Sequence, residues 1–342
     1  MRILAVTNTY PTPQSPQFGT YVEQQIKGLK QIGLDVDVMF EDRVHRGIGV
    51  YLGLGRRVRA RVAAVQPELV HVMYGSVMAD EVTRAVTDRP IVVSFCGADL
   101  LREPFHSYFR TVMAQYAIVA SHRAARRATG IVVKSKNLYD ALPDEVDRSK
   151  VQLIPNGIDL ERFKPLNREA CRARLGWHPD RFHVLFPANP DTLRKGPDLA
   201  RAAVEVAARS GLPIELHALQ SIPHHDVPIW MNASDVILLT SLQEGSPNVI
   251  KEALACDMPI VSIDVGDVPE RIQGIAGCYL ALPQADDLAA KLRLVYAGPR
   301  RMAGRVTMQD LSLERVALRL KEFYGEVLGS RQTATDRALR YA

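Results

Sequence analysis

The chain has 342 residues, 47% hydrophobic and 24% charged, which is the balance of a globular protein with room for about two domains. Its four cysteines, Cys96, Cys171, Cys256 and Cys278, show no paired spacing, which argues against a disulfide framework or a zinc site and for a reducing compartment. A net charge of +5 and a pI near 9.0 favour anionic partners without choosing among nucleotide-sugars, nucleic acid and membrane surfaces; no apolar run reaches membrane-spanning length.

Arg2 to Thr7 is predicted as a first strand, followed by a loop carrying three prolines. Thr20 then has the look of a helix N-cap, with Glu23 completing a capping box and Gly33 ending the helix. Gly19, at that helix start, would let a phosphate approach the backbone. Val36 to Phe40 reads as a second strand. Arg43 to Arg61 is glycine-dotted and basic, with Arg56, Arg57, Arg59 and Arg61. It suits either a solvated helix face or a patch for anionic lipid or a lipid-linked acceptor.

Leu69 to Tyr74 and Ile91 to Phe95 read as the third and fourth strands, the latter ending in Cys96-Gly97-Ala98-Asp99. Phe105 to Ala128 is helical, with His122, Arg123, Arg126 and Arg127 in the last turns, where cations suit the dipole. Gly130 to Ser135 and Val151 to Pro155 are further strands. Asn156-Gly157 predicts a tight turn and a domain boundary.

The alternation then restarts. Val184 to Ala188 is a strand, followed by the loop Asn189 to Gly196 with Arg194 and Lys195, a helix over Pro197 to Arg209, and a strand over Ile214 to Leu219. His224-His225 reads as a surface pair, since no further ligand stands at helical spacing. Asp235 leads into an unbroken apolar run through Leu239, as in a strand buried on both faces. Past it, Glu244-Gly245-Ser246-Pro247-Asn248-Val249 leads into a helix, with Ser246 as N-cap and Pro247 at the first helical position. Free N–H groups and a helix dipole thus converge beyond a strand's carboxyl end, a ready anion site. Val249, Ile250, Ala253 and Leu254 form the apolar stripe. Glu252 falls off that stripe and is not a cap partner, so it should face solvent or a cleft. Ile260 to Asp264 is a strand, Asp267 to Glu270 a capping box, and Leu282 to Ala297 and Ser312 to Leu328 are helices, with a polar, frayed tail from Ser330.

Glu244 and Glu252, with seven residues between them that include Gly245-Ser246-Pro247, and followed by Ala-Cys-Asp-Met-Pro-Ile-Val, resemble the signature of retaining family 4 glycosyltransferases of the GT-B fold. Pro155-Asn156-Gly157-Ile158-Asp159 with Phe163 is similar to that family's hinge motif, and Phe-Pro-Ala-x-Pro at 186–190 to its teichuronic-acid-type branch. The resemblance implies two doubly wound Rossmann-like α/β domains with parallel sheets facing across a cleft, at 1–155 and 156–311, with a C-terminal helix over 312–342 crossing back. It implies that Glu252 holds the donor ribose and that Glu244 approaches the transferred sugar. Gly19, Arg194, Lys195 and the backbone of Gly245, Ser246, Pro247, Asn248 and Val249 would meet sugar and diphosphate. Two positions depart from the pattern. Cys96 stands where the family has a histidine aimed at the sugar, although Gly97 and Asp99 match, and a buried structural thiol fits Cys96 as well. Asn189-Pro190 stands where an arginine is expected.

No Gly-x-Gly-x-x-Gly or Gly-Lys-Ser/Thr loop is present, which speaks against dehydrogenases and P-loop ATPases. The expectation is a retaining hexosyltransferase of envelope polysaccharide synthesis. It would use a UDP- or GDP-sugar with no metal or other cofactor and a glycan or lipid-linked acceptor, without nucleic acid. It would be cytoplasmic, with peripheral contact at the inner face of an anionic membrane. The alternatives are a GT-B epimerase or phosphorylase and a non-catalytic nucleotide-sugar-binding protein.

Overall fold

The computed structural model describes residues 1–16, 18–102 and 108–340. It divides into two compact units, Met1–Gly157 with Leu313–Ala342, and Ile158–Ser312. Unit 1 runs β1 (Arg2–Thr7), α1 (Thr20–Gln31), β2 (Asp35–Phe40), α2 (Arg43–Arg46), α3 (Leu54–Val65), β3 (Leu69–Val72), α4 (Ser76–Ala85), β4 (Ile91–Phe95), α5 (Tyr108–Arg127), β5 (Gly130–Val133), α6 (Lys136–Asp140) and β6 (Val151–Leu153). Its strands pair in parallel in the order β2-β1-β3-β4-β5-β6. Every residue of β3, β4 and β5 is buried, which is why these strands are apolar without alternation. The start expected for α5 at Phe105 lies outside the described residues.

Unit 2 runs α7 (Arg168–Leu175), β7 (Phe182–Phe186), α8 (Pro197–Arg209), β8 (Ile214–Ala218), α9 (Val227–Ala233), β9 (Val236–Leu239), α10 (Asn248–Ala255), β10 (Ile260–Ile263), α11 (Val268–Ile272), β11 (Cys278–Ala281) and α12 (Ala285–Ala297). Its parallel sheet has the order β11-β10-β9-β7-β8. The short, half-exposed β11 was not anticipated; it occupies a sheet edge, where hydrophobic pattern is weakest.

The last helix, α13 (Leu313–Arg340), belongs to unit 1 and packs against α1. The helix continues through Ser330, where the polar sequence suggests fraying. One buried chain of bonds ties it to the sheet: His71 of β3 bonds the Tyr324 hydroxyl through Nδ1 (2.6 Å) and the Ser94 hydroxyl of β4 through Nε2 (2.8 Å). Burial, aided by the Lys134 charge, pushes the His71 pKa down to about 3, so the imidazole is neutral and one ring nitrogen donates while the other accepts.

Candidate active site

In each sheet the strand order reverses at one place, between β1 and β3 and between β7 and β9. Loops diverge at such switch points beyond the carboxyl ends of the strands, and ligands of open α/β sheets bind there.

At the switch point of unit 2 two loops are bonded together. Thr240, just past β9, donates its hydroxyl to the carbonyls of Lys195 (3.1 Å) and Gly196 (2.8 Å), and Leu242 N–H donates to Arg194 O (2.8 Å). Gly196 has φ of 67°, and a Cβ there would overlap the Thr240 carbonyl oxygen, so only glycine allows this approach. The result sets Lys195 Nζ in an ion pair with Glu244 Oε1, both largely buried. The ammonium and the first turn of α10 thus lie along the same edge.

Ser246 is not the cap of α10. Pro247 is, with φ of −67° and ψ of 115°, and the helix begins at Asn248. Ser246 instead donates its hydroxyl to Asp267 Oδ2 (2.8 Å) and accepts from Lys251 Nζ (3.1 Å). Asp267 also accepts from Arg271 Nε (2.8 Å), so the capping box read at Asp267 and Glu270 does not form either. Asp267 N–H donates to Gly245 O (3.0 Å). The Gly245-Ser246-Pro247 turn therefore has a charged scaffold behind it, Lys251–Ser246–Asp267–Arg271, in which Lys251 is fully buried. Nothing in the sequence singled out Lys251; it follows an apolar pair and reads as a surface lysine.

Glu252 is buried rather than solvated, 8% exposed. His224 explains it. Arg162 Nη1 lies 3.0 Å from His224 Nδ1, and a guanidinium only donates, so Nδ1 accepts and Nε2 carries the proton. That Nε2–H meets Glu252 Oε1 at 3.3 Å. Phe163 packs edge-on against the same ring, and Arg305 holds the loop by donating to the carbonyls of Leu160 (2.7 Å), Phe163 (2.6 Å) and Ala255 (3.1 Å). His224 is thus a site residue that sequence reasoning passed over as surface, whereas His225 is exposed.

At the switch point of unit 1, Gly19 rather than Thr20 caps α1, with φ of 78° and no side-chain cap bond. A Cβ on Gly19 would overlap the Thr9–Tyr10 backbone. Asp99 is buried and its carboxylate accepts the N–H groups of Gly75 (2.9 Å), Cys96 (3.0 Å) and Gly97 (2.7 Å). Burial raises its pKa against the opposing pull of these bonds. Asp99 therefore shapes the turn that carries Cys96. The Cys96 thiol is half-exposed, not buried, and lies 3.7 Å from Met73 O. Lys134, missed in the sequence, is fully buried past β5 with Nζ 3.3 Å from Gln25 Oε1, and burial lowers its pKa.

Beside Asp99 opens a cavity of 610 Å³ lined by Asn8, Arg43, Tyr51, Tyr74, Met113 and Tyr116 among others. Asn8 donates to the Tyr51 hydroxyl (2.7 Å), and its Oδ1 is buried without a partner among the described residues. The neighbouring basic stretch is partly neutralised: Arg57 pairs with Glu41 and Arg61 with Asp37. Asp35 and Asp37, two carboxylates on alternate residues of β2, pair with Arg2 and Arg61.

The family described as Glycosyltransferase Family 4 matches residues 18–162, and that described as Glycosyl transferases group 1 matches residues 192–297. The chain belongs to the family 4 glycosyltransferases. This glycosyltransferase is 25% identical, over 327 aligned positions, to the putative teichuronic acid biosynthesis glycosyltransferase TuaC of Bacillus subtilis, covering 78% of this chain and 82% of TuaC. Its fold is that of GT-B enzymes. It superimposes on the sucrose-phosphate synthase of Thermosynechococcus elongatus with a TM-score of 0.77 at 17% identity, over 96% of this chain and 100% of the other. Anabaena HepE, solved in complex with UDP, matches with a TM-score of 0.68 at 16% identity, over 95% of this chain and 100% of HepE. Among the described residues of the glycosyltransferase, no helix is long and apolar enough to cross a membrane.

Proposed function

We propose that this glycosyltransferase moves a hexose from a UDP- or GDP-sugar to a glycan or lipid-linked acceptor, with retention at the anomeric carbon and without a metal. The observation that carries the reading is Glu252, buried on α10 yet kept as a hydrogen-bond acceptor by the Arg162–His224 pair, one helix turn from the Gly245-Ser246-Pro247 loop. A carboxylate so placed accepts the two hydroxyls of a ribose. When the sugar–phosphate bond breaks, negative charge grows on the departing diphosphate. The first turn of α10 and the Lys195 ammonium supply the compensating positive charge, with Arg194 beside them. Glu244, which orients Lys195, is the group that would direct the transferred sugar. Asp99 acts as a positioning residue for the Cys96 turn.

The cavity of unit 1 supports an acceptor with an apolar part, because tyrosine and methionine side chains dominate the walls named above, with Arg43 offering a charge for a phosphate. Ile48 and Leu52 are exposed at its rim. This supports action at the inner face of an anionic membrane, in envelope polysaccharide synthesis. The similarity to TuaC accords with envelope polysaccharide synthesis, and the UDP bound by HepE accords with a UDP-sugar donor.

Calorimetry of the full chain with UDP- and GDP-sugars, on wild type and Glu252→Ala, tests the proposal together with the anomeric configuration of the product. Binding by wild type, at least tenfold weaker binding by the variant, and a retained anomer are expected. A wild type that binds neither donor, or an inverted product, overturns it.

A further inference from the structure

Three potential metal ligands meet in unit 2, on strands β7 and β8. Glu215 and His217 are alternate residues of the edge strand β8, so their side chains share one face. His183, on the neighbouring β7, is the register partner of Glu215. His183 Nδ1 lies 2.8 Å from His217 Nε2, and the Glu215 carboxylate comes within 3.8 Å of the first and 3.9 Å of the second. Among the described residues this is the one group of three histidine, cysteine or carboxylate side chains whose ligand atoms all fall within 4.8 Å of one another.

The hydrogen bonds around His183 set its ring for ligation. Its Nε2 faces the carbonyl of His178 at 2.8 Å, and a carbonyl only accepts, so the proton is on Nε2 and the Nδ1 lone pair points at His217. A ring N–H given to a backbone carbonyl is the usual outer-shell support of a metal-bound histidine. Trp177 stacks on the His217 ring with centroids 3.6 Å apart, fixing its plane. Arg172 is the nearby cation, and its charge is answered by Asp235, 2.6 Å from Nη2, which also accepts the His183 backbone N–H (2.8 Å). Glu215 is half-exposed and offers an entry path from the open edge of the sheet.

We propose that His183, His217 and Glu215 bind one divalent transition-metal ion of the zinc class, with water completing the shell. Two imidazoles and one carboxylate are a borderline donor set suited to Zn²⁺ or Co²⁺ and poorly suited to Mg²⁺ or Ca²⁺. Binding requires the His217 proton to sit on Nδ1 and the two nitrogens to part to about 3.3 Å, the separation that metal–nitrogen bonds of about 2.0–2.1 Å impose in a tetrahedron. The ion would cross-link the edge strand β8 to β7. It lies apart from Lys195 and Glu252, so its role is to brace the sheet rather than to serve transfer.

The site carries its own reporter. The chain has two tryptophans, and both are beside it: Trp177 stacks on His217 and meets Trp230 edge-on at 5.3 Å. The test uses the full chain without a histidine tag, stripped with chelator and titrated with Zn²⁺, Co²⁺ and Mg²⁺. One equivalent of Zn²⁺ per chain is expected after desalting, with Co²⁺ quenching tryptophan emission and giving visible tetrahedral absorption, a raised Tm with Zn²⁺, and no response to Mg²⁺. His217→Ala and Glu215→Gln should weaken uptake at least tenfold. His183 is fully buried and its replacement risks unfolding, so the other two positions carry the test. Absence of stoichiometric Zn²⁺, or equal uptake by His217→Ala, overturns the site and leaves a hydrogen-bonded histidine pair. Donor binding by Glu252→Ala is unaffected by either result, so this inference and the proposed activity fail separately.

Discussion

His224 Nε2 donates to Glu252 Oε1 across 3.3 Å, and Arg162 fixes which ring nitrogen carries that proton. The bond orients the carboxylate. His224→Ala should therefore raise the donor Kd by roughly tenfold, the effect of one hydrogen bond to a charged group, about 1.5 kcal/mol. His224→Gln places an amide N–H where Nε2–H was and should recover most of the affinity. A merely structural role for the ring would show as a lower Tm in both variants with no recovery of binding.

Lys195 answers to the same logic from the other side of the loop. Its ammonium is held by Glu244 and its backbone carbonyl by Thr240. Lys195→Ala should lower kcat more than it raises KM, because its charge matters most as the diphosphate leaves. Transfer by wild type in excess EDTA should match transfer in Mg²⁺. A rate that falls in EDTA and is restored by Mg²⁺ but not by Zn²⁺ would assign the leaving charge to an ion rather than to Lys195 and α10.

The alternation of strands and helices, and the Glu244 to Glu252 loop, were legible because they rest on local pattern: apolar runs, a proline turn and a helical stripe. The misses were tertiary. Ser246 has the composition of a cap but finds a stronger partner in Asp267, which is distant in sequence. Gly19 takes the cap position in place of Thr20, and its φ of 78° and the Thr9–Tyr10 backbone packed against it leave no room for a Cβ there. His224 looks like half of a surface pair until Arg162 and Glu252 close on it. Lys251 and Lys134 drew no attention in the sequence and are buried, since nothing local announces the hydroxyl or amide that will meet them.

Gly196 joins fold to site. Its φ of 67° and its contact with Thr240 mean that Gly196→Ala must strain the backbone and push Lys195 away from Glu244. A loss of about 1–3 kcal/mol in stability is expected, together with weaker donor binding. Gly211 is the control: its φ is 91° but a Cβ would meet nothing within 4 Å. Gly211→Ala should lower Tm less and leave binding unchanged. Equal effects on binding from the two variants would argue against the loop contact.

Leu52 is 80% exposed and Ile48 63%, beside Arg56 on α3 and the rim of the unit 1 cavity. If these side chains enter a lipid interface, Leu52→Ser with Ile48→Ser should reduce flotation with vesicles containing phosphatidylglycerol, and Arg56→Gln should make the remainder less salt-sensitive. Flotation that ignores both changes would remove this surface as the membrane contact.

The His71 bond chain makes a pH prediction whose sign follows from its depressed pKa. The folded imidazole takes a proton only near pH 3, whereas the unfolded one does so near 6.5. Below 6.5 the unfolded chain binds more protons, so folding stability from this group falls as pH falls, by about 1.4 kcal/mol per pH unit down to the folded pKa. Tyr324 and Ser94 bond the ring and the Lys134 charge adds to the effect, so no neighbouring carboxylate relieves it. Other buried histidines contribute a slope of their own, and the difference between wild type and His71→Gln isolates this one. Urea unfolding at pH 7.5 and pH 5.0 should show wild type losing about 2 kcal/mol more than the variant over that interval, although the variant is less stable at pH 7.5. Parallel pH slopes in the two proteins would mean that His71 is charged in the folded state, and the bond from Nδ1 or Nε2 to its hydroxyl partners would have to be reassigned.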